Sequence, residues 1–577
     1  MEAESRGVKR KLHGRAFYES IGSPKYVLAP MVDQSEFAWR LLSRSFMTPE
    51  ENSSLLCYTP MLHARLFSET PKYRDAHFQP MRASLPFPYD PSTPAPTPSP
   101  SEHHLDGHPT HDRPLFVQFC ANEPRSFLSA ALAVSPYCDA VDLNLGCPQG
   151  IAKRGGYGAF LQEDWGLISS LIRELHEQLP IPVTAKMRIL ETKEKTLEYA
   201  KMILDSGASV ITVHGRRREQ KGHNTGLADW SVIRYLRESL PKETVIFANG
   251  NVLQHGDIAE CLEVTGADAV MSAEGNLYDP TIFAKAPEVG NEGREYWRGR
   301  DGKGGYRMDA VLRRYMDIIW RFVLGKEPPE RKPLFMLGDP VEEKTTAAGD
   351  AAPATEEERG DGPPAKKKQK REKFKKEAEK GGSQKPEKES SPNLVAMQAH
   401  LFHLLRPLVA RHTAVRDKLA RTRTGDIEGY EALLTMVEDA VKQGLIEHAE
   451  MEKSEEHTNG DAKLATTKDP EAEGKLTSTA AVERCKRPWF IVQPYVRPLP
   501  EEAIEKGALQ LSKKEKRRRE IEKEEARKAG VAPEGKVEAV QVNGQEEPDK
   551  PTVPDQKASV EGAEEKVEVA REGLVCG

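Results

Sequence analysis

Cys147 stands in the run Asn144-Leu145-Gly146-Cys147-Pro148, directly after an apolar, β-branched stretch. Gly and Pro on either side make a shaped turn, so the thiol is expected exposed, projecting from the end of a strand. With an ordinary pKa near 8.5, a thiol is mostly protonated at neutral pH and can donate a proton; nucleophilic work would need a depressed pKa. The commoner fate of a cysteine is a small buried hydrophobe. Cys57, Cys138 and Cys261 read that way, and Cys120 is open to either reading. Lys186 stands in the run Thr184-Ala185-Lys186-Met187-Arg188, which is expected to put a positive charge near a strand terminus. His214, in Val213-His214-Gly215-Arg216, can touch a phosphate or orient a ring. Asn249-Gly250-Asn251 and Ser272-Ala273-Glu274-Gly275 end two further strands, the second before a short helix expected at 280–283. Glycines there let backbone N–H groups approach a phosphate, and a helix N-terminus adds a favourable dipole.

These residues need a scaffold that brings strand ends to one place. Short apolar runs occur at Tyr26–Pro30, Leu55–Thr59, Leu115–Phe119, Ala140–Asn144, Val183–Arg188, Val210–His214, Val245–Asn249 and Ala269–Ser272. Their starts are 24 to 43 residues apart, except for one interval of 60 that contains a Pro-rich insert at 82–113. Helix-like segments such as Asp164–Gln178 and Thr196–Ser206 fill most intervals. Eight alternating strand and helix units with near-continuous apolar strands predict an α/β fold, a parallel (β/α)8 TIM barrel. Every chemically interesting residue then falls at the C-terminal mouth, where such barrels build their sites. An open doubly wound sheet is the structural alternative, weakened by the lack of GxGxxG after the first strand.

Composition limits the rest. The chain has 577 residues, 84 Lys+Arg against 90 Asp+Glu, 30% charged and only 38% hydrophobic. Disorder is expected at 1–19, within the barrel at about 82–113, and at 341–391, 451–480 and 501–577. About 370 residues then remain to fold: a barrel over 20–290, a small helical domain over 291–340 and 392–450, and a short ordered segment at 481–500. No apolar run approaches a membrane span, and the N-terminus has no signal-peptide core, so neither membrane nor secretion is expected. Seven unclustered cysteines predict free thiols and no metal site, and the histidines at 103, 104, 108 and 111 sit in Pro-rich coil. A monomer in the cytoplasm is expected; the basic runs Lys366–Lys376 and Lys513–Arg519 suggest nuclear import or nonspecific RNA contact.

Helix-spaced apolar residues (Met308, Val311, Leu312, Tyr315, Ile318, Ile319, Phe322) mark the helical domain, with similar stripes at Leu394–Leu405 and Ile427–Val441. Arg313, Arg314, Arg321, Arg411, Arg416, Lys418, Arg421 and Arg423 lie on the opposite faces. They read as a solvated surface or as contacts to an RNA backbone.

APMVDQSE (29–36), YTPM (58–61), QFCANEP (118–124), DLNLGCPQGIAKRGGYGAFL (142–161), KMR (186–188), VHGRRREQKG (213–222), NGN (249–251) and SAEGNLYDP (272–280) together resemble the flavin-dependent tRNA dihydrouridine synthases. The likeness is greatest to the eukaryotic class acting on uridines 16 and 17 of the D-loop. It is strong over about 20–290 and weaker through 394–445 and WFIVQPYVRP (489–498). The resemblance implies reduction of the uridine C5=C6 bond, with hydride to C6 from reduced FMN and a proton to C5 from Cys147. It implies re-reduction of FMN by NADPH, or NADH, entering the same mouth as the tRNA. Pro30, Met31, Gln118, Lys186 and His214 are the expected flavin contacts. Asn249, Gly250, Asn251, Ala273 and Gly275 are the expected phosphate seat; many bacterial relatives have Arg at the position of Glu274, and since a carboxylate would repel phosphate, the Glu274 side chain is expected to turn away. Asn144, Arg154, Arg216 and Arg217 are expected to meet the substrate. An FMN barrel reducing a free pyrimidine and a non-catalytic RNA-binding module are the alternatives. The basic helical domain argues against the first, and Cys147, Lys186 and His214 together argue against the second.

Overall fold

Apolar β-branched runs flanked by amphipathic helices can bury both faces only if the strands pair side by side beneath a helical shell. The computed structural model describes residues 11–85, 99, 101–340, 391–458, 478–505 and 517. Its barrel strands are β1 (Tyr26–Leu28), β2 (Leu55–Tyr58), β4 (Leu115–Cys120), β5 (Ala140–Leu145), β6 (Val183–Arg188), β7 (Ile211–His214), β8 (Ile246–Asn249) and β9 (Ala269–Ser272). A two-residue β3 (Leu62–His63) prolongs the β2 edge against β4. All neighbours are parallel, and β2 pairs with both β1 and β4, which closes the ring. The eight-stranded barrel expected from the spacing is therefore the fold.

The shell follows ordinary helix rules. In Trp165–Gln178 the residues Ile168, Leu171, Ile172 and Leu175 fall on one face and are buried. Asp164 opens that helix, its carboxylate accepting the Leu167 N–H at 2.9 Å, a cap worth about 1 kcal/mol.

Several segments depart from the composition-based boundaries. The helix Gly14–Ser20 lies in the stretch expected to be disordered. Phe17 stacks on Phe116 of β4, and Tyr18 meets Phe247 of β8. Those strands lie on opposite walls, so the helix crosses the N-terminal end of the barrel and seals it. The C-terminal part of the Pro-rich insert is also ordered. Arg40, fully buried, donates to Asp112 at 2.8 and 2.5 Å and to Asp106 at 2.8 Å. Neither contact has a local sequence signal. The region 291–340 opens with an antiparallel hairpin, β10 (Tyr296–Arg298) and β11 (Gly304–Tyr306), before the helix Met308–Ile318. The helix beginning at Ile427 runs to Thr458, into the expected linker, and Pro500–Glu505 is a helix at the start of the expected tail. The rest of the segments expected to be disordered (1–10, 86–98, 100, 341–390, 459–477, and 506–577 apart from 517), and with them both basic runs except Arg517, lie outside the described residues.

The helical domain docks on the helix Phe37–Arg44. His400, from the helix Pro392–Leu404, stacks on Trp39 with ring centroids 3.8 Å apart and pairs with Glu36 at 2.9 Å. Asn393 accepts the Ala38 N–H at 2.8 Å. Arg313 and Arg314 are not available as a basic surface: Arg313 pairs with Glu438, and Arg314 with Glu295 while lying over the Phe46 ring. Arg411, Arg416, Arg421 and Arg423 are exposed. Among the described residues no helix is long and apolar enough to cross a membrane.

Candidate active site

At the mouth, β4, β5 and β6 present Gln118, Asn144 and Lys186, all buried. Register explains their meeting, because Gln118 pairs with Asp142 and Asn144 with Lys186 across adjacent parallel strands. Gln118 Nε2 donates to Asp142 Oδ2 at 2.8 Å, and Thr184 Oγ1 donates to Asp142 Oδ1 at 2.6 Å. Asn144 Nδ2 donates to Gln118 Oε1 at 2.8 Å. Asn144 Oδ1 in turn accepts the N–H of Cys147 at 2.9 Å and of Gly146 at 3.1 Å. One hydrogen-bonded line thus runs from a carboxylate inside the barrel to the backbone of Cys147. Burial lifts the Asp142 carboxyl to about 6, against the opposing effects of Thr184, Gln118 and the charge on Lys186. Asp142 was not singled out from sequence; it sits inside the DLNLGCP motif with no separate mark.

Lys186 Nζ donates to Asn249 Oδ1 at 3.0 Å, and Asn249 Nδ2 donates to the Met271 carbonyl at 3.0 Å. Lysine charge, amide and the ends of β6, β8 and β9 are thereby locked together. Pro30 and Met31 are buried where β1 ends, with Ala29 N–H bound to the Ser272 carbonyl at 3.0 Å.

Cys147 corrects one expectation. Its turn is not exposed: the residue is buried against Cys120, Ala152 and Tyr157, with Met61 and Phe160 alongside. The reason is backbone packing. Gly158, at φ +65°, comes so close that a Cβ there would meet the Cys147 carbonyl at 2.8 Å, so the chain after Cys147 folds back over it. The turn is also held from β6 and the β7 loop. Arg188 Nε donates to the Gly146 carbonyl at 2.7 Å, and Lys221 Nζ to the Pro148 carbonyl at 2.6 Å. Arg218 pairs with Glu163 at 2.9 Å and lies over the Phe160 ring. Arg218, which the sequence suggests as a phosphate contact beside Arg216 and Arg217, is thus engaged within the protein, and Arg188 and Lys221 carry no sequence signal of their own. The described cysteines, 57, 120, 138, 147, 261 and 485, are all free of disulfides.

The far side of the mouth gathers His214, Arg216, Asn249, Gly250 and Asn251. Arg216 donates to His214 Nε2 at 3.1 Å and to Asn251 Oδ1 at 2.7 Å. Burial, helped by Arg188, Lys186 and Arg216, holds the His214 pKa well below the usual range, so its imidazole is neutral. Burial lowers the Arg216 pKa to about 10, with Arg188 and Arg497 acting the same way and Glu274 opposing. Gly250 has φ +114°, and a Cβ there would meet Ala228 Cβ at 2.6 Å, so the backbone passes where no larger residue fits. Arg216, expected at the substrate, thus belongs to the group around His214 and Asn251. Arg154 and Arg217 are exposed, apart from the buried group around Lys186. The short helix after β9 is Glu274–Tyr278, earlier than the expected 280–283, so Ala273 and Gly275 flank its first residue. The Glu274 carboxylate is paired, accepting from Arg497 at 2.7 Å.

The family model "Dihydrouridine synthase (Dus)" matches residues 27–301. A Schizosaccharomyces pombe protein named tRNA-dihydrouridine(16/17) synthase [NAD(P)(+)] is 39% identical over 491 residues, covering 85% of this chain and 92% of its own. A Saccharomyces cerevisiae protein of the same name is 37% identical over 533 residues, covering 92% and 97%. A Mus musculus protein whose name adds "-like" is 44% identical over 288 residues, covering 50% and 54%. With the barrel, the mouth residues and two yeast relatives matched over nearly their whole length, this chain belongs to the dihydrouridine synthase family.

Proposed function

We propose that this chain is an NAD(P)H-dependent tRNA-dihydrouridine synthase that reduces the C5=C6 bond of D-loop uridines 16 and 17, with FMN as its bound cofactor. The observation that carries this reading is the hydrogen-bonded line from Asp142 through Gln118 and Asn144 to Cys147, beside the buried charge of Lys186. It joins a proton donor to a fixed polar bed at one mouth.

The mouth fits FMN in two respects. A buried ammonium beside Asn249 suits the electron-rich pyrimidine edge of a flavin ring. The glycine cradle at 250 and the Arg216–His214–Asn251 group suit a phosphate. Gln118, Lys186, Asn249, Pro30 and Met31 would hold the ring, and His214, Arg216, Gly250, Asn251, Ala273 and Gly275 its phosphate end. Bound there, FMN supplies the hydride chemistry that no side chain provides.

The protein's own work is placement and protonation. Asn144 fixes the Cys147 backbone, and Arg188 fixes the carbonyl before it. Both constrain where the thiol proton is delivered, at C5 of the uracil. The base must leave its stack to enter the mouth. The cover over Cys147 formed by residues 150–158 has to shift to admit it. The exposed Arg154, Arg217, Arg421 and Arg423, with Arg411 and Arg416 beside their carboxylate partners, would meet tRNA phosphates.

The test is purification of the full chain, flavin analysis, and incubation with NADPH and unmodified tRNA. Dihydrouridine at 16 and 17 with bound FMN is expected. A flavin-free protein, or one active on free uridine but not on tRNA, would overturn the reading.

A further inference from the structure

Glu274 presents a problem of charge. It stands at the end of β9, in the region where the phosphate seat is placed, and an unpaired carboxylate there would repel an anion. Arg497 answers it from far along the chain, donating through Nε and Nη2 to Glu274 Oε1 at 2.7 Å. The bearing segment is built in. Phe490, Ile491 and Val492 are buried, and Val492 N–H donates to the Tyr306 carbonyl of the hairpin at 3.0 Å. Tyr495 is sandwiched in place, with the Arg406 guanidinium 3.7 Å from its ring centroid and the Tyr278 ring 5.7 Å away. Arg406 belongs to the helical domain and Tyr278 to the barrel, so three parts of the chain converge to position Arg497.

We propose that Arg497 is a phosphate-binding residue of the cofactor site, supplied by the C-terminal segment to the seat formed by the ends of β8 and β9. This rests on the FMN reading above. Arg216 and Arg497 then flank the seat, with Glu274 orienting one guanidinium while His214 and Asn251 hold the other. The mutual electrostatic influence of Arg216, Arg188, Arg497 and Glu274 places them in one field. Three guanidiniums against one carboxylate leave that field positive, as a phosphate monoester requires. The ring end of the flavin, over Gln118 and Lys186, makes no use of Arg497.

The test separates phosphate from ring. FMN and riboflavin, which lacks the phosphate, are titrated into the flavin-stripped full-length chain, its R497A variant and its R497K variant. Wild type is expected to prefer FMN. R497A is expected to lose at least about tenfold in FMN affinity with riboflavin affinity unchanged, matching the removal of one charge-assisted hydrogen bond. R497K, which keeps the charge but not the fork, is expected to lie between them. An unchanged FMN-to-riboflavin ratio in R497A would overturn the proposal, and the ratio in R497K decides if R497A does not fold. A ratio that holds while tRNA affinity falls would assign Arg497 to an RNA phosphate and equally overturn the cofactor role. Wild-type protein that binds neither flavin would instead sink the FMN reading itself.

Discussion

Asn144 Oδ1 accepts the Cys147 N–H at 2.9 Å while Asn144 Nδ2 donates to Gln118 Oε1 at 2.8 Å. A single amide therefore sets both the thiol-bearing turn and the polar floor beside it. An Asn144→Ala change removes both bonds, and Asn144→Asp keeps only the acceptor. The expected result is a loss of turnover of about 100-fold in either variant, on the scale of displaced catalytic groups. Steady-state kcat with saturating tRNA measures it; near-normal kcat in Asn144→Asp would show that the Gln118 bond is dispensable.

Asp142 should impose a pH limb. Above about 6 its carboxylate only accepts, which forces the Gln118 NH2 toward it and the Gln118 oxygen toward Asn144. Below that pH the protonated group can donate, and the amide orientations are no longer forced. kcat/KM is expected to fall as pH drops through about 6 in wild type, and Asp142→Asn is expected to lose that limb. Stability runs the opposite way. A carboxyl whose folded pKa is raised contributes stability that is full below about 4 and lost as pH rises through about 6. The melting temperature of wild type relative to Asp142→Asn should therefore decline between about pH 4 and 6 and level off above that.

Lys186→Gln keeps a donor for Asn249 but removes the charge. Its purified protein is expected to reduce with NADPH at least about tenfold more slowly than wild type, through lost electrostatic stabilisation. Stopped-flow flavin bleaching follows this directly, and an unaltered rate would remove Lys186 from the chemistry.

Arg40 links the barrel to the ordered end of the Pro-rich insert through Asp106 and Asp112. Arg40→Ala leaves two buried carboxylates without their cation and is expected to cost about 3–5 kcal/mol. Urea unfolding measures it, and a loss below about 1 kcal/mol would mean that the insert simply detaches.

The barrel was legible because eight apolar runs recur at near-regular spacing and each ends in polar or glycine-rich residues. Cys147, Gln118, Lys186 and Asn249 were legible for the same reason, since a strand terminus fixes direction. What escaped depends on partners distant in sequence. The Arg40–Asp112 pair, the Arg497–Glu274 pair and the seal formed by Phe17 and Tyr18 have no local periodicity to announce them. The burial of Cys147 escaped because it depends on the close return of Gly158, which a Gly-Cys-Pro turn read alone does not show.

The central claim is that the Cys147 thiol and a reduced flavin act on one uridine at this mouth. Mass-spectrometric mapping of dihydrouridine on tRNA incubated with the Cys147→Ala variant and NADPH tests it most directly. At least about a 100-fold loss is expected at positions 16 and 17, the lower end of what a positioned proton donor contributes, with flavin content and tRNA affinity within about twofold of wild type. Wild-type dihydrouridine levels from that variant would contradict it.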